Sequence, residues 1–449
     1  MKTLIQNGLI VNDGVSKRGD IIIEDDIIKS VIESGSAECD TTQCFDKIID
    51  AKGAYVMAGV IDDQVHFRDP GLTYKATIAS ESRAGLSGGV TSFMEMPNTS
   101  PATTTLELLA EKQQKASEDS YSNYSFYLGA TNQNIDQIVN LDPTRVCGVK
   151  VFMGSSTGNM LVDDKDALAH IFKSSPVLVA THCEKEEVIK ANIAEFSAKY
   201  GENITPSMHP LIRSAEACYR SSAEAVELAQ KHGGRLHVLH LSSAKEMSLF
   251  SEAKLTKDKK ITAEVCAHHL WFDDRDYASK GNMIKWNPSI KSEADKLGLI
   301  AGLIEGRIDV VATDHAPHTI EEKSRPYLAA PSGGPLLSHS LIAMLELVER
   351  GVFSVEMVVE KMAHAPAKLF NIQKRGYIKE GYFADIAIVQ KCEPWMVEKS
   401  NILYKCGWSP FEGDYFSHKV THTLVNGVVA YENGVINEQS RGRELRFER

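Results

Sequence analysis

The sequence predicts a (β/α)8 barrel carrying a small β-sandwich domain built from both ends of the chain. Three observations predict it. Short apolar runs alternate with longer charged segments of helical period through the middle of the chain. Those runs are apolar at successive positions, as strands covered on both faces by helices must be. The two ends are β-rich and resemble each other.

The 449 residues are too many for one minimal core. The pattern divides them into 1–55 and 366–449, which supply the β domain, and 56–365, which supply the barrel. LIQNGLIV (4–11) and TLVNGVVA (423–430) each place Asn-Gly between apolar runs, so a hairpin is expected at both. GDIIIEDDIIKSVI (19–32) and YFADIAIVQ (382–390) read as further strands.

The barrel strands are expected at VMAGVID (56–62), VTSFMEM (90–96), YSFYLGA (124–130), CGVKVFM (147–153), PVLVATH (176–182), RLHVLHL (235–241), ITAEVCA (261–267) and IDVVATD (308–314). Helical candidates between them include LELLAEKQQKAS (106–117), KDALAHIFKS (165–174), SAEAVELAQKHGG (222–234) and ADKLGLIAGLIEGR (294–307). No G-x-G-x-x-G follows the first strand, which disfavours an open dinucleotide-binding sheet.

Composition narrows the function. A formal net charge of -11 offers no basic footprint for nucleic acid. Eight Cys without a CxxC pair suit reduced thiols, not a disulfide framework. The N-terminus is interrupted by Asn7, Gly8, Asn12 and Asp13 before any signal-peptide core builds up, and no run approaches the roughly 20 apolar residues of a membrane span. A cytoplasmic protein with no membrane or nucleic-acid partner is expected.

In such a barrel the active site lies at the C-terminal ends of the strands. The first run leads into Gln64, His66 and Arg68, the second into Asn98, and the fourth carries Lys150 among apolar neighbours. The fifth ends in His182, the sixth in His240 and the eighth in Asp314-His315, while His268 and His269 follow the seventh. Singly, each has an ordinary reading: a core histidine, a snorkelling lysine, a helix-capping aspartate, an Arg68–Asp69 surface pair. Together, one barrel mouth gathers the histidines and carboxylate that a hydrolytic zinc site requires. An ammonium beside divalent ions is repelled, so Lys150 should be neutral or modified there; a neutral amine can add carbon dioxide to give a bridging carbamate.

These stretches resemble the dihydroorotase group of the amidohydrolase superfamily. The resemblance is carried by GVIDDQVHFRDPGLTYK (59–75), GGVTSFMEMPNTSPATT (88–104), GVKVFMGSSTG (148–158), VATHCE (179–184), LHVLHLSS (236–243), TAEVCAHHL (262–270), KWNPSIK (285–291) and VATDHAPHTIEEK (311–323). Tail elements HAPAKLFNI (364–372), GYFADIAIV (381–389), SPFEG (409–413) and VNGVVAYENG (425–434) extend it over nearly the whole chain. HFRDPG with MPNT is its most specific part.

The resemblance implies reversible hydrolysis of the ring amide of dihydroorotate to N-carbamoyl-L-aspartate, a step of pyrimidine biosynthesis, by metal-bound hydroxide with Asp314 as general base and acid. It implies one or two zinc ions. One position would use Gln64, His66, carbamylated Lys150 and Asp314; the other would use Lys150, His182 and His240. Arg68 and Asn98, with His318, would hold the substrate carboxylate. Asn287 and the backbone of Pro331, Ser332 and Gly333 would contact the ring amide. A homodimer is expected at the family level.

Two departures stand out. The family has His-x-His at the first strand, where this chain has Gln64-Val65-His66, and glutamine is a far poorer zinc ligand than imidazole. Tyr74 replaces a histidine common in relatives. Two alternatives follow: a non-catalytic scaffold for a transcarbamoylase, or a hydantoinase- or allantoinase-like ring opener. The first should have lost several ligands together, and the second should lack Arg68. GSSTGNMLVDD (154–164) reads equally as a mobile lid or a plain connection. His209, His232, His237, His339, His418 and His422 receive no role.

Overall fold

Both ends of the chain build one nine-stranded sheet. Its first strands are β1 (Lys2–Asn12), β2 (Val15–Glu24), β3 (Ile27–Glu33), β4 (Lys47–Asp50) and β5 (Tyr55–Ala58). The computed structural model describes residues 1–34, 44–154, 160–256 and 258–449. The candidate lid therefore lies partly, at 155–159, outside the described residues.

The hairpin expected at Asn7-Gly8 does not form. β1 runs through it as a bulge, its register against β2 shifting between Ile5 and Gly8. Asn7 does adopt the left-handed backbone of a turn, with φ 58°. However, its backbone N–H donates to Asp20 Oδ1 (2.8 Å) and its side-chain amide to Asp50 Oδ1 (3.0 Å), which holds it within the sheet. A Cβ on Gly8 would lie 2.6 Å from Val56 Cγ2, so only glycine admits the neighbouring strand. β4 and β5 then pair in parallel with β1 on either side of the bulge. The chain turns instead at Asp13-Gly14 (φ 50° and 78°).

The barrel follows, with β6 (Val60–Val65), β7 (Val90–Glu95), β8 (Asn123–Gly129), β9 (Gly148–Phe152), β10 (Leu178–His182), β11 (Leu236–Val238), β12 (Ile261–Cys266) and β13 (Val310–Ala312). These pair in sequence order, all in parallel. A bridge between Val65 and His315 brings the last segment to the first, and the Asp62 carboxylate accepts from the Thr313 hydroxyl at 2.6 Å. The expected first run, 56–62, is divided: Tyr55–Ala58 belongs to the small sheet and only the part from Val60 to the barrel. Gly59 makes the break, since a Cβ there would lie 2.2 Å from Thr91 Cγ2. The helix expected at 222–234 begins earlier, at Ala215, where the Ser214 hydroxyl accepts from the Ala217 N–H and caps it.

The small sheet is completed by β14 (Ile386–Met396), β15 (Tyr415–Val425), β16 (Val428–Glu432) and β17 (Val435–Ile436), joined to the N-terminal strands through β5 and β14. Here Asn426-Gly427 does form a hairpin, with φ 50° and 78°, the type I′ pattern that matches strand twist. The sheet encloses its own core, including Ile5, Ile21, Ile28, Val56, Ile386 and Leu424.

One end of the barrel is stoppered. Its interior residues Ile61, Met94, Tyr127, Leu178 and Val310 continue into Phe370, Leu445 and Phe447 of the C-terminal segments. The Tyr124 N–H donates to Arg443 O and the Leu445 N–H to Tyr124 O, tying the tail to the barrel. The opposite end, where the strands finish, remains for chemistry. No helix among the described residues is long and apolar enough to cross a membrane.

Candidate active site

The strand ends converge on one cavity of about 90 Å³. Gln64, His66, Arg68, Asn98, Lys150, His182, His240, Asn287, Asp314, His318 and Gly333 line it, with Phe152, Ala316 and Ser332. Of the residues singled out in the sequence, Pro331 does not line it; its carbonyl accepts from the Lys323 ammonium at 3.1 Å. Gly333 spends its N–H on Lys285 O (2.8 Å). Asn287 lines the cavity, and its buried Oδ1 has no hydrogen-bond partner among the described residues.

The histidines are oriented from behind. Burial keeps His66, His182 and His240 below their ordinary pKa, so each ring is neutral and carries one lone pair. His182 Nε2 donates to Glu184 Oε2 (3.0 Å), which leaves Nδ1 as the lone pair, 3.0 Å from His240 Nε2. Burial alone would raise Glu184, but the adjoining Arg213 guanidinium and His182 outweigh it and hold the carboxyl at about 2. His66 Nδ1 donates to Asn98 Oδ1 (2.7 Å), so its Nε2 lone pair faces Asp314 Oδ1 at 3.0 Å. His240 Nδ1 has no partner among the described residues. Neutral imidazoles gathered with one carboxylate and one lysine around a single cavity fit a divalent ion of the zinc class.

Lys150 and Asp314 are both held away from their usual charge states. Burial pushes the Lys150 ammonium down to about 8, and it sits 4.8 Å above the Phe152 ring centroid with no ion pair among the described residues. Burial pushes Asp314 up to about 7, against the pull of Lys150. Gln64 turns its Nε2, a donor, to Asp314 Oδ1 at 3.2 Å. Behind it lies Cys266, its Sγ 4.0 Å from Gln64 Oε1.

Arg68 is no surface ion pair. It is buried; its Nε donates to Pro317 O (3.1 Å), and among the described residues no carboxylate forms an ion pair with it. Asp69 instead accepts from the Ile78 N–H (3.3 Å) and faces Lys115 (3.6 Å). Burial lowers the guanidinium to about 10, which leaves it charged at neutral pH. His318, neutral through burial, accepts from Lys75 Nζ at Nδ1 (2.8 Å) and donates from Nε2 to Ser332 O (3.0 Å). Arg68 Nη2 lies 3.1 Å from that same Nε2, which places the guanidinium beside the 332–333 loop.

Two features escaped the sequence. Arg68, His240 and Asp314 all hold left-handed backbone (φ 66°, 39° and 48°), a costly conformation for residues with side chains, and one concentrated at functional sites. No sequence pattern announces it. Glu184 and Arg213 were also missed, although Glu184 stands two residues after His182, on the same face of an extended chain.

Comparisons with known proteins place these observations. The amidohydrolase family matches residues 55–430. A dihydroorotase of Latilactobacillus sakei is 34% identical over 442 residues, covering 96% of this chain and 99% of its own. One from Methanosphaera stadtmanae is 31% identical, covering 94% and 95%. Among solved structures, an L-hydantoinase from Arthrobacter aurescens superposes with a TM-score of 0.92 at 27% identity over 99% of both chains. A dihydropyrimidinase from Brevibacillus agri gives 0.88 at 24% identity over 100% of both chains, a likeness of fold.

Proposed function

This chain belongs to the amidohydrolase family, in its dihydroorotase group, and from that premise we propose that it interconverts dihydroorotate and N-carbamoyl-L-aspartate. The observation that carries the reading is Arg68: a buried, charged guanidinium without a carboxylate partner among the described residues, on the wall of the cavity that holds the histidines, Lys150 and Asp314. Both compounds carry a carboxylate that a planar guanidinium can clamp. Hydantoins offer no such group. That separates this reading from the hydantoinase alternative, which the structural likeness to an L-hydantoinase otherwise favours.

His66, Lys150, His182, His240 and Asp314 would hold zinc, with Gln64 as the weakest member of the set. When bound, the metal supplies Lewis acidity toward the ring carbonyl and lowers the pKa of water. Lys150, near 8, has neutral amine available close to neutral pH; its nitrogen adds carbon dioxide and loses a proton, giving an anionic carbamate. Asp314, near 7, accepts a proton from the attacking water and returns it to the departing ring nitrogen. In ring closure the same residue works in reverse. Asn98 fixes His66, and Glu184 with Arg213 fixes His182, so the donors are set before substrate arrives.

The non-catalytic scaffold reading requires several ligands lost together, and only position 64 departs. The test is hydrolysis of dihydroorotate by zinc-supplemented protein, followed by absorbance and set beside hydantoin and dihydrouracil. Turnover confined to the carboxylate-bearing ring is expected. Metal-replete protein inert toward dihydroorotate would overturn the assignment.

A further inference from the structure

Beneath the mouth, three ionisable side chains meet in the closed interior of the barrel. Asp63 comes from β6, His237 from β11 and Glu264 from β12, and each has 0% exposure. His237 Nε2 stands 3.3 Å from Asp63 Oδ2 and 3.7 Å from Glu264 Oε2. None of these atoms, nor Asp63 Oδ1, has a hydrogen-bond partner among the described residues. A buried imidazolium bonded to a carboxylate should close to about 2.7–2.9 Å. The wider spacing suits the edge of a coordination tetrahedron: ligand bonds of about 2.0–2.1 Å set neighbouring ligand atoms about 3.3–3.4 Å apart.

The protons support the same reading. The Thr262 hydroxyl donates to Leu236 O (3.1 Å), so it can only accept from His237 Nδ1, 2.9 Å away. Nδ1 therefore carries a proton, so a neutral ring would turn its Nε2 lone pair on two carboxylates. That arrangement needs a cation between them. With both carboxylates ionised, a proton on Nε2 would leave the buried cluster with one net negative charge; a divalent ion neutralises it. Glu264 is already fixed for the task, its Oε1 accepting the His240 backbone N–H at 3.0 Å. We propose that Asp63, His237 and Glu264 bind a divalent transition-metal ion of the zinc class, at a site separate from the donors of the barrel mouth.

Crystals of the intact protein grown with Zn2+ test this by anomalous diffraction at the zinc edge. A peak between Asp63 Oδ2, His237 Nε2 and Glu264 Oε2 is expected, in addition to any at the mouth. Metal analysis should give one ion fewer per chain for His237→Gln than for the parent, while His182→Ala leaves the interior peak in place. Peaks at the mouth with none at the interior cluster, or an unchanged metal count in a folded His237→Gln protein, would overturn the proposal. If that variant does not fold, the parent crystal decides alone.

Discussion

The two sides of the barrel mouth use similar donors but are held differently. On one side, His182 is backed by the Glu184 carboxylate, which Arg213 anchors, and His240 is fixed through its backbone to Glu264. On the other, among the described residues His66 is backed by the neutral amide of Asn98, and Gln64 points an N–H at Asp314. A carboxylate behind an imidazole fixes its tautomer and raises its basicity; an amide does the first and little of the second. What sits behind a ligand thus decides its strength as much as its own identity. The His182–His240 side should hold its ion more tightly.

Asp314, between the two sides, gives the largest expected effect. Asp314→Asn should lower turnover at least about 10³-fold while dihydroorotate binding remains measurable, because the proton carrier is lost and its shape kept. The same substitution should stabilise the chelator-treated protein. In the fold this carboxyl titrates near 7, against an ordinary value of 3.8. The folded state therefore keeps a proton that the unfolded chain releases, and stability present below pH 3.8 is lost as pH rises through 7. Asn escapes that loss, up to about 4 kcal/mol by linkage. Denaturant melts at pH 5 and pH 8 should show the gap between variant and parent widening with pH. A constant gap would remove Asp314 as its cause.

Next comes Arg68, which serves the substrate from the amide-backed side. Arg68→Gln should cost about 10²-fold in kcat/KM for dihydroorotate, the worth of a desolvated charge-assisted pair. Any side activity on neutral cyclic amides should change much less. Equal losses on both would mean that the residue supports the fold of the 332–333 loop and does not clamp a carboxylate.

Smaller still, Gln64→His should raise zinc occupancy on the His66 side by about tenfold in affinity, read by metal titration against a competing chelator. His182→Ala should remove the tighter ion first. The reverse order would break the contrast between the two sides.

Much of this was legible in the sequence, for a physical reason. Strand ends are set by apolar runs, and a barrel places all eight ends at one rim, so His66, Lys150, His182, His240 and Asp314 could be gathered before any coordinates. Supporting contacts were less legible because they join residues far apart in the chain: His66 to Asn98, Glu184 to Arg213, Asp63 to His237. Local signals also misled. Asn7-Gly8 has the composition of a hairpin, yet the bonds Asn7 donates to Asp20 and Asp50 and the packing of Val56 keep it inside a strand. The identical dipeptide at 426–427 has Asp25 O where a Cβ on Gly427 would lie, 2.0 Å away, and turns as its composition suggests.

Tyr74 marks how far the amide-backed side reaches toward solvent. It is 59% exposed, and its hydroxyl donates to Glu322 Oε1 at 3.1 Å. Glu322 does not depend on that bond, because the Lys75 ammonium, 3.0 Å away, already pairs with its carboxylate. Removing the phenol therefore leaves no buried charge unpaired and should leave His318 in place behind Arg68. Tyr74→Phe is expected to change KM less than about twofold and stability by no more than about 0.5 kcal/mol. Lys75→Met, which takes the donor from His318 Nδ1, should raise KM several-fold in the same assay. Were the two variants to show the opposite ranking, the phenol would belong to the substrate's own contacts.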